Sequence, residues 1–191
     1  MNIKKNIKVA LMAVAALVAT GSVVSCSDEP DSEYFYTFTG EMISDYLTNR
    51  PCFSQFKTIV ERANLMDLLS TYGKFTCFVP DNDAVQEYLQ KRGLQSVDQL
   101  SDEECDTIAR THLINDLYTT FSMNLETIPT TNLLGRYLAT SQGVDADSNA
   151  VIYIEKKAHI IFEQTLDDGT YIHQNDSVEN GIIHPINHVI E

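Results

Sequence analysis

The run Tyr72-Gly-Lys-Phe-Thr-Cys-Phe-Val-Pro-Asp-Asn-Asp-Ala-Val-Gln-Glu-Tyr-Leu89 decides the fold. Phe75 to Val79 is a short apolar, β-favouring stretch entered through Gly73, and it predicts a strand with little need for a solvent face. Pro80 has no N–H to donate and stops the ladder. Asp81 then sits where a helix N-cap belongs, its carboxylate placed to accept an orphan backbone N–H, and Asp83 suits the positive end of the helix dipole. Ala84, Val85, Tyr88 and Leu89 recur at helical spacing, with Gly93 at the position of a C-cap. The expected unit is a buried strand, a proline-acid corner and an amphipathic helix.

Phe75 to Val85 resembles the first signature of fasciclin-type domains, an aromatic-Thr-apolar-Phe-Ala-Pro-Thr-Asn-acid-Ala-Phe run. Asn180-Gly-Ile-Ile-His-Pro-Ile-Asn-His-Val-Ile190 is similar to the closing signature of that family, and Thr111-His112 stands in the place of its Tyr-His pair. Ile43 to Leu47 resembles the helical lead-in, and Leu133 to Arg136 the glycine-containing strand before the family's hairpin. The resemblance implies an α+β fold, a β-sandwich-like wedge flanked by helices, occupying residues 38–191. It also implies a non-catalytic role in adhesion or extracellular binding. The residues it singles out are Phe75, Thr76, Phe78, Pro80, Asp81, Asn82, Ala84, His112, Asn180, Gly181 and His184, and their expected role is mainly structural.

Working outward, residues 1–25 read as a leader: Lys4, Lys5 and Lys8 precede the apolar stretch Val9 to Ala19. Val23-Val24-Ser25-Cys26 resembles a bacterial lipobox, which makes Cys26 the expected lipidation site and the lipid the only contact with membrane. The plain alternative is a cleaved signal peptide with Cys26 an ordinary residue. Residues 26–37 are acidic, contain Pro30 and read as a tether, ending in the aromatic cluster Tyr34 to Phe38. Ser27-Asp28-Glu29 resembles the acidic run that directs some lipoproteins to the outer face of the outer membrane.

All 27 acidic residues follow the leader and three of the 13 basic ones lie inside it, leaving a net charge of −17. Such a surface repels nucleic acid and other polyanions. A hydrophobic content of 43% supports a real core. Beyond Cys26 there are Cys52, Cys77 and Cys105, an odd number in an exported chain: Cys77 reads as a small buried hydrophobe, and one pair among the three stays open.

Helices are expected over 39–47, 51–63 and 65–69, with Phe53, Phe56, Ile59 and Val60 on one face. Ser96 with Gln99 and Ser101 with Glu104 have capping-box spacing. Strands are expected over 117–123, 133–140, 151–154, 158–162 and 182–190, with turns at Gln142-Gly143 and Asp167-Asp168-Gly169. Helices early and strands late indicate α+β.

No chemistry-bearing motif emerges. His184 and His188 on one strand lie about 13 Å apart, too far to share a metal. Asp167, Asp168, Asp176 and Glu179 flank turns and read as solvated loop rather than a glycosidase pair. Nucleophile elbow, P-loop, dinucleotide fingerprint and Cys-x-x-Cys are all missing, and no cofactor is expected. Pro185 replaces an apolar residue of the closing signature, so its nitrogen should face away from a ladder or sit at a bulge. The reading is a surface adhesion or protein-interaction module. The alternative is a glycan-binding accessory of a nutrient-uptake system, using exposed aromatics such as Tyr171 or Tyr153 beside loop carboxylates.

Overall fold

Helix α1, Ile43–Asn49, is the first helix among the described residues, with the Met42 N–H held by Asp45 Oδ2 at 3.2 Å. The computed structural model describes residues 40–123, 126–146 and 148–191, all inside the unit Tyr36–Glu191. The leader, Cys26, the tether and the aromatic cluster Tyr34 to Phe38 lie outside the described residues. A 3-10 turn, Pro51–Phe53, leads into α2, Ser54–Arg62. Pro51 suits that first turn because its missing N–H has no partner to lose there. Phe53, Phe56, Ile59 and Val60 form the buried stripe the spacing predicted. After α3, Met66–Leu69, the chain enters β1, Phe75–Pro80. Helix α4 spans Asn82–Lys91 and ends on Gly93, which takes φ +73° while Leu94 N–H reaches back to Leu89 O at 2.9 Å. Only glycine adopts that left-handed closure without a Cβ penalty. Ser96 opens a 3-10 turn, and Ser101 caps α5, Asp102–Thr111.

The remainder is strands: β2 Leu113–Ile114, β3 Thr140–Val144, β4 Ala150–Ile154, β5 Ala158–His159, β6 Glu163–Thr165, β7 Tyr171–His173, β8 Asp176–Val178 and β9 Gly181–Ile186. They form a four-stranded sheet in the order β2-β1-β9-β8, a three-stranded sheet β3-β4-β5 and the pair β6-β7. β1 and β9 run parallel at its centre, Phe75 opposite Gly181 through Pro80 opposite Ile186. Cys77, Val79 and Ile183 join the core cluster built on the helices, whereas Phe78 and Ile186 join a second cluster with Ile114, Leu138, Ile154 and Ile160. Both strands are therefore covered on both faces, which is why neither alternates polar with apolar residues.

Several expectations are corrected. The strand expected over 117–123 is a turn, because Asp116, Thr119 and Ser122 side chains bond nearby backbone groups in place of a ladder. Leu133 and Leu134 also lie in a turn: Asn132 Oδ1 accepts the N–H groups of Leu134 and Arg136, and Gly135 takes φ +83°. Gln142-Gly143 is no turn but the middle of β3, paired with β4. A Cβ on Gly143 would lie 2.9 Å from Tyr153 Cδ2, so the glycine admits the neighbouring ring rather than reversing the chain. Strand β5 stops at His159, Pro80 closes β1 instead of lying beyond it, and β9 ends at Ile186. The predicted turn at Asp167-Asp168-Gly169 joins β6 to β7, with Gly169 at φ +85°.

Pro185 is buried within β9. The bond from Phe75 N–H to Asn180 O sets the phase of the parallel pair, and in that phase the Pro185 nitrogen faces away from β1. On that side β8 has already ended, at Asp176 opposite Ile183, and Ile161 lies alongside instead: its N–H donates to Pro185 O at 2.9 Å, and the return bond from residue 185 is the one the proline lacks.

Candidate functional site

The signature residues act as pins between segments distant in sequence. Asn180, fully buried, accepts the Ile43 N–H at 2.9 Å and donates to Leu69 O at 2.7 Å and Thr71 O at 2.8 Å. Gly181 beside it passes so near Phe75 O and Ile43 Cδ1 that any side chain would collide. Thr76 Oγ1 donates to Asp116 O at 2.7 Å and accepts the Tyr118 N–H at 2.8 Å. Phe78 stacks on His184 with ring centroids 5.7 Å apart, while Phe75 and Ala84 are core packing. At the corner after Pro80, Asp81 Oδ1 accepts the Ala84 N–H at 2.8 Å. Asn82 accepts from Gln55 N and donates to Pro51 O at 2.9 Å, fastening the start of α4 to the start of α2.

Both signature histidines are fully buried. His184 Nε2 faces Tyr118 O at 2.8 Å, and Nδ1 accepts the Asn175 N–H at 3.3 Å. His112 reverses the roles: Nδ1 faces Ile108 O at 2.7 Å and Nε2 accepts the Ile190 N–H at 3.0 Å. A carbonyl requires a donor and an N–H an acceptor, so each ring is held neutral in one tautomer. Burial drives both pKa values down to about 4. Neither ring has a free nitrogen for chemistry. Cys52, Cys77 and Cys105 are buried free thiols whose pKa values burial raises, Cys52 to about 11, which disfavours the nucleophilic thiolate.

The surface carries the remaining candidates. Among the described residues no three His, Cys, Asp or Glu side chains converge as metal ligands. Of the four carboxylates considered for glycoside chemistry, Asp168 accepts the Thr170 N–H at 2.8 Å and is held below the usual carboxylate range by it, while Asp176 is an element of β8. Tyr153 spends its hydroxyl on Val144 O at 3.0 Å and its ring on Gly143, so it offers no platform. Tyr171 is 54% exposed, its phenol donating to Glu163 Oε2 at 2.8 Å. Tyr72, Phe121, Tyr137 and Phe162 are exposed as well.

A cleft of about 640 Å³ lies between the start of α4, the β3–β4 turn and β6, lined by Asp81, Asp83, Glu87, Asp145, Phe162 and Glu163 among others. A groove of about 350 Å³ shares Asp81, Asp83 and Gln164 with it and continues past Cys52 to Asp167 and Asp168. Asp81 is raised above the usual carboxylate range by its burial there. A separate hollow of about 490 Å³ gathers Lys91, Arg92, Arg136 and Lys157. Of the signature residues, Asp81, Asn82 and Ala84 reach the acidic cleft and groove, and sequence reasoning missed the β6 wall altogether. Glu163-Gln164-Thr165 is a polar run without alternation and carries no strand signal.

Residues 51–191 match the sequence model of the fasciclin domain. Among solved structures, the chain is similar to an FAS1 domain pair from the insect cell adhesion molecule fasciclin I. The TM-score is 0.59 at 19% identity, covering 79% of this chain and 51% of that one. The chain thus spans about half the length of that structure, and the likeness is one of fold. No curated protein matches the chain.

Proposed function

The chain belongs to the fasciclin domain family, and from that premise we propose that it is a non-enzymatic adhesion or protein-interaction module displayed outside the cell on a lipid anchor at Cys26. Fasciclin domains are in general modules of that kind. One observation carries the reading: apart from Asp81 and Asn82 at the cleft, the signature side chains are used up inside the fold, while Tyr72, Phe121, Tyr137, Phe162 and Tyr171 stand exposed on a strongly acidic surface. Large exposed aromatics are what contact surfaces are made from. The leader and lipobox support export and outward display at the outer membrane.

Glycan binding is the second reading, favoured by Tyr171 standing exposed beside Glu163. The full chain, immobilised and presented in parallel with matrix proteins and with glycans, is expected to show saturable protein binding. Sugar binding without protein binding would replace the first reading with the second. Fatty-acid labelling lost in Cys26→Ser, together with reaction of intact cells with a non-permeant reagent, tests the anchor and its display; protection from the reagent would confine the protein to the periplasmic side.

A further inference from the structure

We propose that the open edge of β6 receives an extended, lysine- or arginine-rich segment of a partner protein as a third strand of the β6–β7 sheet. This rests on the reading of the domain as a protein-contact module and names where one contact is made.

The phase of the hairpin decides which backbone groups are open. Gln174 N–H donates to Phe162 O at 3.1 Å and Leu166 N–H to Thr170 O at 2.9 Å, and the register sets Gln164 opposite Ile172. In an antiparallel pair, hydrogen-bonded positions alternate with positions whose groups face away. Phe162, Gln164 and Leu166 therefore address β7, and the N–H and C=O of Glu163 and Thr165 point to the opposite side. Among the described residues no strand, helix or side chain takes those four groups, and all three residues of β6 are exposed. An open edge of this kind is a template for strand addition.

The edge does not face empty solvent on both sides. It forms one wall of the cleft and groove described above, with the start of α4 opposite. An added strand lying there would bond to Glu163 and Thr165 and project alternate side chains to opposite faces. Charge selects the occupant: Asp81 and Asp83 stand across the gap and Asp167 and Asp168 at its far end. Phe162, 51% exposed, offers an apolar contact at the head of the strand. A second copy of this chain would bring carboxylates against carboxylates. Residues 27–39 of the chain itself hold four carboxylates and no Lys or Arg, and are equally mismatched.

The probe is a labelled octapeptide of alternating lysine and valine, titrated against the full chain in detergent and read by fluorescence anisotropy. Saturable binding is expected. It should weaken by about tenfold or more, the equivalent of losing one or two hydrogen bonds, when alternate peptide nitrogens are methylated or when Thr165→Pro removes an outward N–H. Replacing the lysines by glutamates, or Asp83→Asn combined with Asp167→Asn, should weaken it likewise. Because Thr165 makes no bond to β7, the proline variant leaves the hairpin ladder whole; should it fail to fold, the methylated peptide still decides. Equal binding of methylated and plain peptides would overturn the proposal in favour of charge alone. So would a concentration-dependent dimer of the wild type that Thr165→Pro abolishes, or displacement of the peptide by calcium at constant ionic strength. Undiminished capture of a matrix protein by Thr165→Pro would remove the edge from the account and leave the adhesion reading standing. A wild-type chain that captures no protein at all would overturn both.

Discussion

His112 and His184 each present a proton to a carbonyl and a lone pair to a backbone N–H, so a second proton on either ring would set donor against donor. In the unfolded chain both titrate near 6.5, and in the fold near 4. Between those values the unfolded state binds more protons. Stability is thus full above about pH 6.5 and declines as the pH falls toward 4, by about 3 kcal/mol for each ring. His159, lowered in part by burial, acts in the same direction. Glu104, held at about 2, and Asp116, also lowered, add their loss only in stronger acid. Urea midpoints measured from pH 7 down to 4.5 should fall, with unfolding taking up protons; a flat profile would mean the rings are charged in the fold. Asn180 is the third buried polar pin at this scale. Asn180→Ala leaves one N–H and two carbonyls without their partner, and a loss of about 3 kcal/mol in denaturant unfolding is expected.

At the level of elements, the corner between β1 and α4 is set by Pro80 and the Asp81 cap. Asp81→Ala should lower stability by about 1 kcal/mol, with Asp81→Asn or Asp81→Ser retaining most of it, as read from thermal midpoints. Strand β3 poses the opposite test, since its glycine serves a neighbour. Gly143→Val would set a branched side chain against the Tyr153 ring, and a loss of about 1–2 kcal/mol is expected despite the better strand propensity of valine. Gain of stability there would show that the ring swings away freely. The short helical segments are legible because Asp81 and Ser101 caps and the Gly93 closure act within a few residues. Residues 117–123 mislead for a related reason: Thr119 and Ser122 read as β-compatible, but their hydroxyls close a local turn first.

For the molecule as a whole, the decisive contact is the parallel pairing of β1 with β9, which joins the two signatures across more than a hundred residues of chain. It brings Asn180 onto α1 and α3, His184 onto Phe78, and the Ile190 N–H onto His112. Both core clusters take side chains from these two strands. A chain ending at Asn180 should therefore lose the cooperative unfolding transition seen by circular dichroism, rather than merely shift it, because each cluster would be opened at once. A sharp transition in that truncated chain would mean that the helices and the earlier strands fold without their central partner.

The order of residues by itself determined the α+β class, the β1–α4 unit with its caps and the apolar stripe of α2. Those features rest on interactions between near neighbours or on residues whose chemistry allows one role. Tertiary structure alone decided that Gln142-Gly143 lies in a strand, that Asn180 spends its side chain on distant backbone, and that each of the two histidines gives one ring nitrogen to a distant backbone group. It alone decided, too, that β6 shows an edge left unpaired among the described residues to carboxylates some eighty positions earlier in the chain. An open edge is defined by the strand that does not arrive, and no local pattern of side chains records that.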